Sequence, residues 1–185
     1  MGRLQYTVIC SLDGYTADAD GRFDWAAPDE ELHAFVNDLE RPVGTHLYGR
    51  RMYETLAVWQ TLGGPGASAV EDDYAGIWRA ADKVVYSTTL AAVGTPRTRL
   101  ERNFDAAAVQ RWKADSTHDL AIGGPGLAAR ALHAGLVDDV HHLVHPVVVG
   151  GGTRALPDGL RLDLELAGEH RFGSGVVHLH HRVRR

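Results

Sequence analysis

Apolar and polar residues alternate from Leu4 to Cys10, in a segment rich in β-branched and aromatic side chains, which predicts a strand. Ser11-Leu12-Asp13-Gly14 signals a turn, and a mixed loop continues through Asp20-Gly21. After Pro28-Asp29-Glu30-Glu31, the residues Leu32, Phe35, Val36 and Leu39 recur at i, i+3, i+4 and i+7, the pattern of a helix with one buried face. Proline suits its first turn, three carboxylates favour the positive end of its dipole, and Arg41-Pro42 stops it. A short strand at Thr45–Tyr48 leads through Gly49 into a helix from Arg50 to about Ala57, and Gly63–Ser68 forms a flexible loop. Val84–Ser87 is again strand-like, Asp105 can cap a helix carrying Ala108, Val109 and Trp112, and Leu120–Ile122 is a brief apolar strand. Leu127, Ala128, Ala131 and Leu132 mark the next helix, ended by Gly135. Beyond Val137 the pattern is all strand. Val140–Val149 forms one long strand, and two more, near Leu162–Leu166 and Val176–Val183, meet at a hairpin turn around Gly173-Ser174-Gly175. Strands alternating with helices and closing in antiparallel strands predict an α/β sandwich with a mixed sheet, in one domain over residues 1–185.

At 44% hydrophobic and 23% charged residues, the 185-residue chain carries enough apolar surface to exclude disorder. It contains no run of about 18 apolar residues, so no membrane span is expected, and its start runs straight into a strand rather than a signal peptide. Cys10 is the only cysteine, which excludes a disulfide or a thiolate metal site within the chain and leaves a cytoplasmic location as the expectation. The net charge is −5 with scattered basic residues, and the densest basic group, Arg182-Val183-Arg184-Arg185, reads as a solvated tail. A nucleic-acid partner is not expected, and a small molecule is.

Three segments share one grammar of strand end, small or hydroxylated residues, then helix or turn: Tyr48-Gly49-Arg50-Arg51, Tyr86-Ser87-Thr88-Thr89 and Ile122-Gly123-Gly124-Pro125-Gly126. Ligands of open α/β sheets bind beyond the carboxyl ends of strands, where helix starts present N–H groups to anions. Glycine permits close backbone approach, and arginine recognises phosphate bidentately. Each segment alone also reads as an ordinary β–α turn; the combination points to a ligand with several phosphates. Gly124-Pro125-Gly126-Leu127-Ala128-Ala129 fits the G-x-G-x-x-[GA] pattern, but it lies late in the chain and lacks an acidic residue at the end of the next strand, so it does not mark a Rossmann domain.

Four motifs occur in order: Ser11-Leu12-Asp13-Gly14-Tyr15, Gly49-Arg50-Arg51-Met52-Tyr53-Glu54, Ile122-Gly123-Gly124 with Leu127, and His145-Pro146-Val147-Val148-Val149-Gly150-Gly151-Gly152. Together they resemble the dihydrofolate-reductase-like proteins related to the reductase domain of the bacterial riboflavin-biosynthesis deaminase/reductase. The resemblance implies a three-layer sandwich around a mixed, mostly parallel sheet with antiparallel C-terminal strands. It also implies NADPH-dependent reduction of a small heterocyclic, pterin-like substrate, and a homodimer. By the same resemblance Gly49, Arg50 and Arg51 meet the adenosine-side phosphates, with Ser87 and Thr88 at the 2′-phosphate. Gly123 and Gly124, a pair often of unusual peptide geometry in the family, pass the pyrophosphate to the helix at Gly126 and Leu127. Hydride transfer is the cofactor's chemistry, while the protein positions the reacting carbons and supplies a proton. Dihydrofolate reductases keep a buried acid on the first long helix after a tryptophan and a proline. Trp25…Pro28-Asp29-Glu30-Glu31 resembles that arrangement and makes Glu31 the candidate acid, with the alternative that the triplet only stabilises a helix start. Asp13 is the second catalytic candidate, its alternative a turn-forming Asp-Gly. Tyr15, Trp25 and Tyr53 are the candidate substrate contacts.

Riboflavin-pathway reductases carry lysine after S-L-D-G and glutamate before the paired glycines, whereas this chain has Tyr15 and Ile122 there and no deaminase segment. A reductase of 5-amino-6-(5-phosphoribosylamino)uracil is therefore the alternative within oxidoreductases, and a non-catalytic NADPH-binding regulator is the alternative of another class. His141, His142, His145, His178, His180 and His181 cluster in the late strands, but without carboxylate or cysteine ligands they predict a strand face rather than a metal site. Trp59, Trp78 and Trp112 read as core or groove aromatics, and Cys10 as a small buried hydrophobe.

Overall fold

The structure, a computed structural model, describes residues 1–184, and Arg185 lies outside the described residues. In chain order its elements are β1 (Leu4–Ser11), β2 (Tyr15–Ala17), α1 (Glu30–Glu40), β3 (Val43–Gly49), α2 (Arg50–Leu56), α3 (Ala69–Ala80), β4 (Asp82–Tyr86) and β5 (Thr98–Glu101). There follow α4 (Ala106–Asp115), β6 (Asp119–Gly123), α5 (Pro125–His133), β7 (Asp139–His145), β8 (Thr153–Arg154), β9 (Leu164–Arg171) and β10 (Val177–Val183). Short 3₁₀ helices occupy Asp24–Ala26 and Ala57–Gln60.

Eight strands form one sheet in the order β5-β4-β3-β6-β1-β7-β10-β9, and β2 pairs with β8 in a small antiparallel sheet. The pairs from β5 to β7 are all parallel, and only β7-β10 and β10-β9 are antiparallel. The alternation in β1 sends Leu4, Tyr6, Val8 and Cys10 into a core shared with Val109 of α4 and Ala128 and Leu132 of α5. On the opposite face Leu143 of β7 packs with Leu32 of α1 and with Phe172, while α3 lies against α1. The result is the expected three-layer α/β arrangement with antiparallel C-terminal strands.

Several local boundaries differ from expectation. Pro28 lies outside α1, whose cap is Asp29: its carboxylate accepts the Leu32 N–H at 2.9 Å. The strand expected over Val140–Val149 ends at His145, because Pro146 has no N–H to extend the ladder; Val147 turns back, and its carbonyl accepts from Leu12. Arg182 and Val183 belong to β10 rather than to a tail. The strand expected near Leu162–Leu166 runs over Leu164–Arg171. The unforeseen α3 starts on a capping box in which the Ser68 hydroxyl accepts the Glu71 N–H and the Glu71 carboxylate accepts the Ser68 N–H.

The late-strand histidines partner one another. His141 Nδ1 and His178 Nε2 are 3.0 Å apart, His141 stacks on His180 at 4.1 Å, and His180 Nε2 lies 2.8 Å from the Asp139 carboxylate, which Arg3 also holds. Among the described residues no set of three or more His, Cys, Asp or Glu is grouped to hold a metal, and no helix is long and apolar enough to cross a membrane.

Candidate active site

Parallel pairing brings the carboxyl ends of β4, β3 and β6 to one sheet edge, with Gly49 in register with Tyr86 and Tyr48 in register with Gly123. The three segments singled out in the sequence are thus neighbours, although β5 and α4 separate two of them along the chain. Gly49 precedes α2, whose first turn exposes Arg50 and Arg51. The Arg50 guanidinium donates to Glu54 at 2.7 Å and to the Thr89 hydroxyl at 3.0 Å, tying α2 to the loop after β4. Arg51 has no ion pair or side-chain hydrogen bond among the described residues. The Ser87 hydroxyl accepts the N–H groups of Thr89 and Leu90 and so orders that loop, while Thr88 is exposed. A further arginine that sequence reasoning missed, Arg102, donates to the carbonyls of Ser87 and Leu90 from beyond β5.

The third end is closely packed. A Cβ on Gly123 would sit 2.9 Å from the Tyr48 ring and 3.1 Å from Met52 Cγ. Gly124 adopts φ +91°, a region that L side chains rarely enter, with trans peptide bonds on either side. No side chain caps α5, which opens with Pro125, an exposed Gly126 and a buried Leu127. Backbone without side chains therefore faces a helix start beside two arginines, which is the character of an anion cradle.

Gly124 and Pro125 also line a cavity of about 470 Å³ that reaches between β1, α1, α2 and α3. Its walls include Ile9, Val36, Met52, Leu56 and Leu143, and an edge-to-face cluster of His33, Trp59 and Tyr74 with centroids 4.9 to 5.8 Å apart. Glu40, in the last turn of α1, contributes a buried carboxyl to the same cavity. Burial pushes its pKa up to about 7, tempered by the approach of Gln5 and Thr7 from β1. The nearest histidine nitrogen, His46 Nδ1, is 3.5 Å away, and burial holds that ring neutral down to about 3, so the contact is not an ion pair near neutrality.

The catalytic and substrate candidates fall outside this cavity's lining. Glu31 is exposed, and its carboxylate accepts the Gly173 N–H at 3.0 Å in the β9–β10 turn. Asp13 accepts from Val149 and Gly150 at 3.2 and 2.8 Å, fastening the β1–β2 turn to the triple-glycine loop; the Ser11 hydroxyl and these N–H groups lower its pKa. Tyr15 lies under the Arg154 guanidinium at 5.3 Å. Trp25 meets the His145 ring edge-on at 5.8 Å in a separate cleft with Leu32 and Pro146. The buried Tyr53 hydroxyl accepts from Gly94 at 3.0 Å and bonds Thr95 at 3.1 Å, supporting the loop before β5. In their place the cavity is lined by Phe23, Asp24, His33 and Glu40. Glu40 had a sequence signal, since it stands eight residues beyond Leu32 and so on the apolar stripe of α1.

The chain matches known proteins along its whole length. It is 26% identical over 180 residues to the Bacillus subtilis (strain 168) protein YyaP, described as uncharacterized, covering 96% of this chain and 93% of YyaP. The fold is shared with a Shewanella sp. PV-4 protein described as belonging to riboflavin biosynthesis, at a TM-score of 0.76 and 19% identity, with 99% of both chains covered. Acinetobacter baumannii RibD superposes at a TM-score of 0.73 and 15% identity over all of this chain and 58% of its own. A pyrimidine reductase-like protein of Corynebacterium diphtheriae gives 0.68 at 13% identity. The RibD C-terminal domain model matches residues 3–178, and the chain therefore belongs to the family of RibD C-terminal domains.

Proposed function

We propose that the chain is an NADPH-dependent reductase that passes a hydride to a small heterocyclic substrate in the 470 Å³ cavity. The observation that carries this reading is that one turn, Gly124-Pro125, borders both the cradle at the strand ends and the cavity. A dinucleotide lying along the edge has its diphosphate against the bare backbone of Gly123-Gly124 and the open start of α5 at Gly126 and Leu127, where a side chain at Gly123 would collide with Tyr48. Arg50 and Arg51, next to Gly49 and the Ser87–Thr88 loop, supply the cations that a 2′-phosphate needs. When bound, the nicotinamide supplies the hydride. The chain's part is to hold the ring at the Gly124 wall, exclude water with Met52, Leu56 and Trp59, and orient the acceptor.

The membership of the family and the likeness to a pyrimidine reductase-like protein support a reductase. Dissociation constants for NADPH and NADH test the reading. NADPH binds more tightly by about tenfold or more, and the double variant Arg50→Ala/Arg51→Ala loses most of that preference, since each phosphate-bound arginine contributes about 1.5–3 kcal/mol. Equal affinity for the two cofactors in the unaltered protein contradicts the assignment. Tight NADPH binding without turnover of any carbonyl or imine would instead favour the non-catalytic regulator.

A further inference from the structure

A second cleft, of about 320 Å³, lies between the start of α1, the Pro146 turn after β7 and the β9–β10 turn. We infer that it is a binding site for a small neutral carboxamide, whose carbonyl accepts from the Trp25 indole and whose N–H donates to His145. The cleft is separate from the cavity proposed for the hydride acceptor. Among the described residues Ala27 alone lines both, and neither Gly124 nor an arginine of the strand ends reaches the cleft. Its volume is at the lower end of the ~300–1,000 Å³ common for small-molecule sites, so it suits a single ring or a short chain.

Two atoms on the cleft call for a ligand. His145 is 6% exposed, and its Nε2 completes no hydrogen bond among the described residues. Neither does the buried Nε1–H of Trp25, whose ring meets the imidazole edge-on at 5.8 Å. An indole nitrogen only donates. Burial lowers the His145 pKa, against the approach of the Trp25 carbonyl, so the ring is uncharged near neutrality. An uncharged imidazole donates through one nitrogen and accepts through the other; the Trp25 carbonyl takes the one N–H, which leaves Nε2 to accept. Buried polar atoms without partners are uncommon, and here a bare donor and a bare acceptor line one cleft.

Charge narrows the choice of ligand. Among the described residues the lining holds no lysine or arginine and one carboxylate, Asp29, so an anion would meet a like charge and no counter-ion. An ammonium or amidinium group has no acceptor atom for the indole N–H. A primary carboxamide supplies both partners, and Leu32, Pro146 and Val176 give its hydrocarbon part an apolar wall. The chain's own bonds hold these walls in place, which lowers the cost of binding. The Asp29 carboxylate caps α1 at the Leu32 N–H, Glu31 holds the β9–β10 turn through the Gly173 N–H, and the Val147 carbonyl accepts from Leu12.

Benzamide is the probe, and the measurement is the set of indole N–H signals in the nitrogen–proton NMR spectrum of the full chain, each assigned through its backbone connectivity. Trp25 lines the cleft and Trp59 the larger cavity, so their two signals tell the sites apart. Benzamide moves the Trp25 signal downfield to a saturating limit as its N–H gains an acceptor. N,N-dimethylbenzamide keeps the carbonyl but has no N–H for His145, and binds at least about fivefold more weakly. Benzoate binds at least about tenfold more weakly than benzamide. In His145→Phe, which keeps an aromatic edge and removes the acceptor, the two amides bind alike. The proposal is overturned by an unmoved Trp25 signal, which would leave the cleft a site for ordered water only, or by a shift confined to Trp59. Equal affinity of the two amides, or benzoate binding as tightly as benzamide, also overturns it, as does an undiminished difference between the amides in His145→Phe. The unaltered chain alone decides all but the last outcome, whatever the variant's folding, and none of them depends on NADPH.

Discussion

Glu40 is an acid that the fold holds at a cost. Its carboxyl titrates near 7 when folded and near the ordinary glutamate value when unfolded, so between those values the native state binds the extra proton. Stability from this group is therefore complete below about pH 4.5 and lost as pH rises through about 7, for a total of about 3 kcal/mol. Glu40→Gln, isosteric with the protonated acid, is expected to be more stable than the parent at weakly basic pH and nearly equal near pH 5. Urea unfolding at the two values checks this, and a variant less stable at both would show the burial to be misjudged. The two site glycines act in the other direction. Gly123→Ala drives a Cβ to 2.9 Å from the Tyr48 ring, and a loss of about 1–3 kcal/mol in thermal unfolding is expected, with weakened NADPH binding. At this scale the glycines and arginines at the strand ends were legible in the sequence, because residue type alone marks them out. The sequence drew attention to Glu31, because three clustered carboxylates at a helix start stand out, whereas Glu40, a single one at the far end of an apolar stripe, is the one that lines the cavity. What separates Glu31 from Glu40 is which neighbour each side of α1 meets: Gly173 in one case, the cavity in the other.

Among elements, the decisive feature is the placement of β3 between β4 and β6. Each strand is legible from its own apolar run, but their adjacency is a long-range pairing that no local pattern encodes, and the proximity of Ser87, Gly49 and Gly123 followed only by the rule that ligands sit at strand ends. The expected long strand over Val140–Val149 failed on one residue, Pro146. The missed α3 did have its local signal in Ser68-x-x-Glu71. Asp13 joins two elements, since its carboxylate accepts from the Val149 and Gly150 backbone. Asp13→Ala is expected to release that loop, seen as faster amide exchange over residues 147–152 with β1 unaffected; unchanged exchange there would show that the two hydrogen bonds contribute nothing.

For the molecule as a whole, the histidines set the response to acid. Burial lowers His46 and His141 to about 3 and His142 and His178 to about 4, all below the ordinary value near 6.5. The folded state then binds fewer protons than the unfolded one across that window, so their contribution is complete above about pH 6.5 and lost as pH falls towards 3. Four such groups outweigh the single opposing Glu40, and the urea midpoint is expected to fall steeply from pH 7 to about pH 4.5. A midpoint constant over that range would mean that the imidazoles are solvated. The clustering of these residues was visible in the sequence, but their mutual stacking was not, because it depends on the β7–β10 register that sets His141 against His180.

The central claim is that the ends of β3, β4 and β6 form one cradle bordering the cavity. Hydrogen–deuterium exchange with and without NADPH tests it most directly. The account predicts slowed exchange at residues 49–52, 87–90 and 123–127 together, with the distant β9–β10 hairpin unchanged. Protection of only one of these segments, or of none while another surface slows, would contradict it.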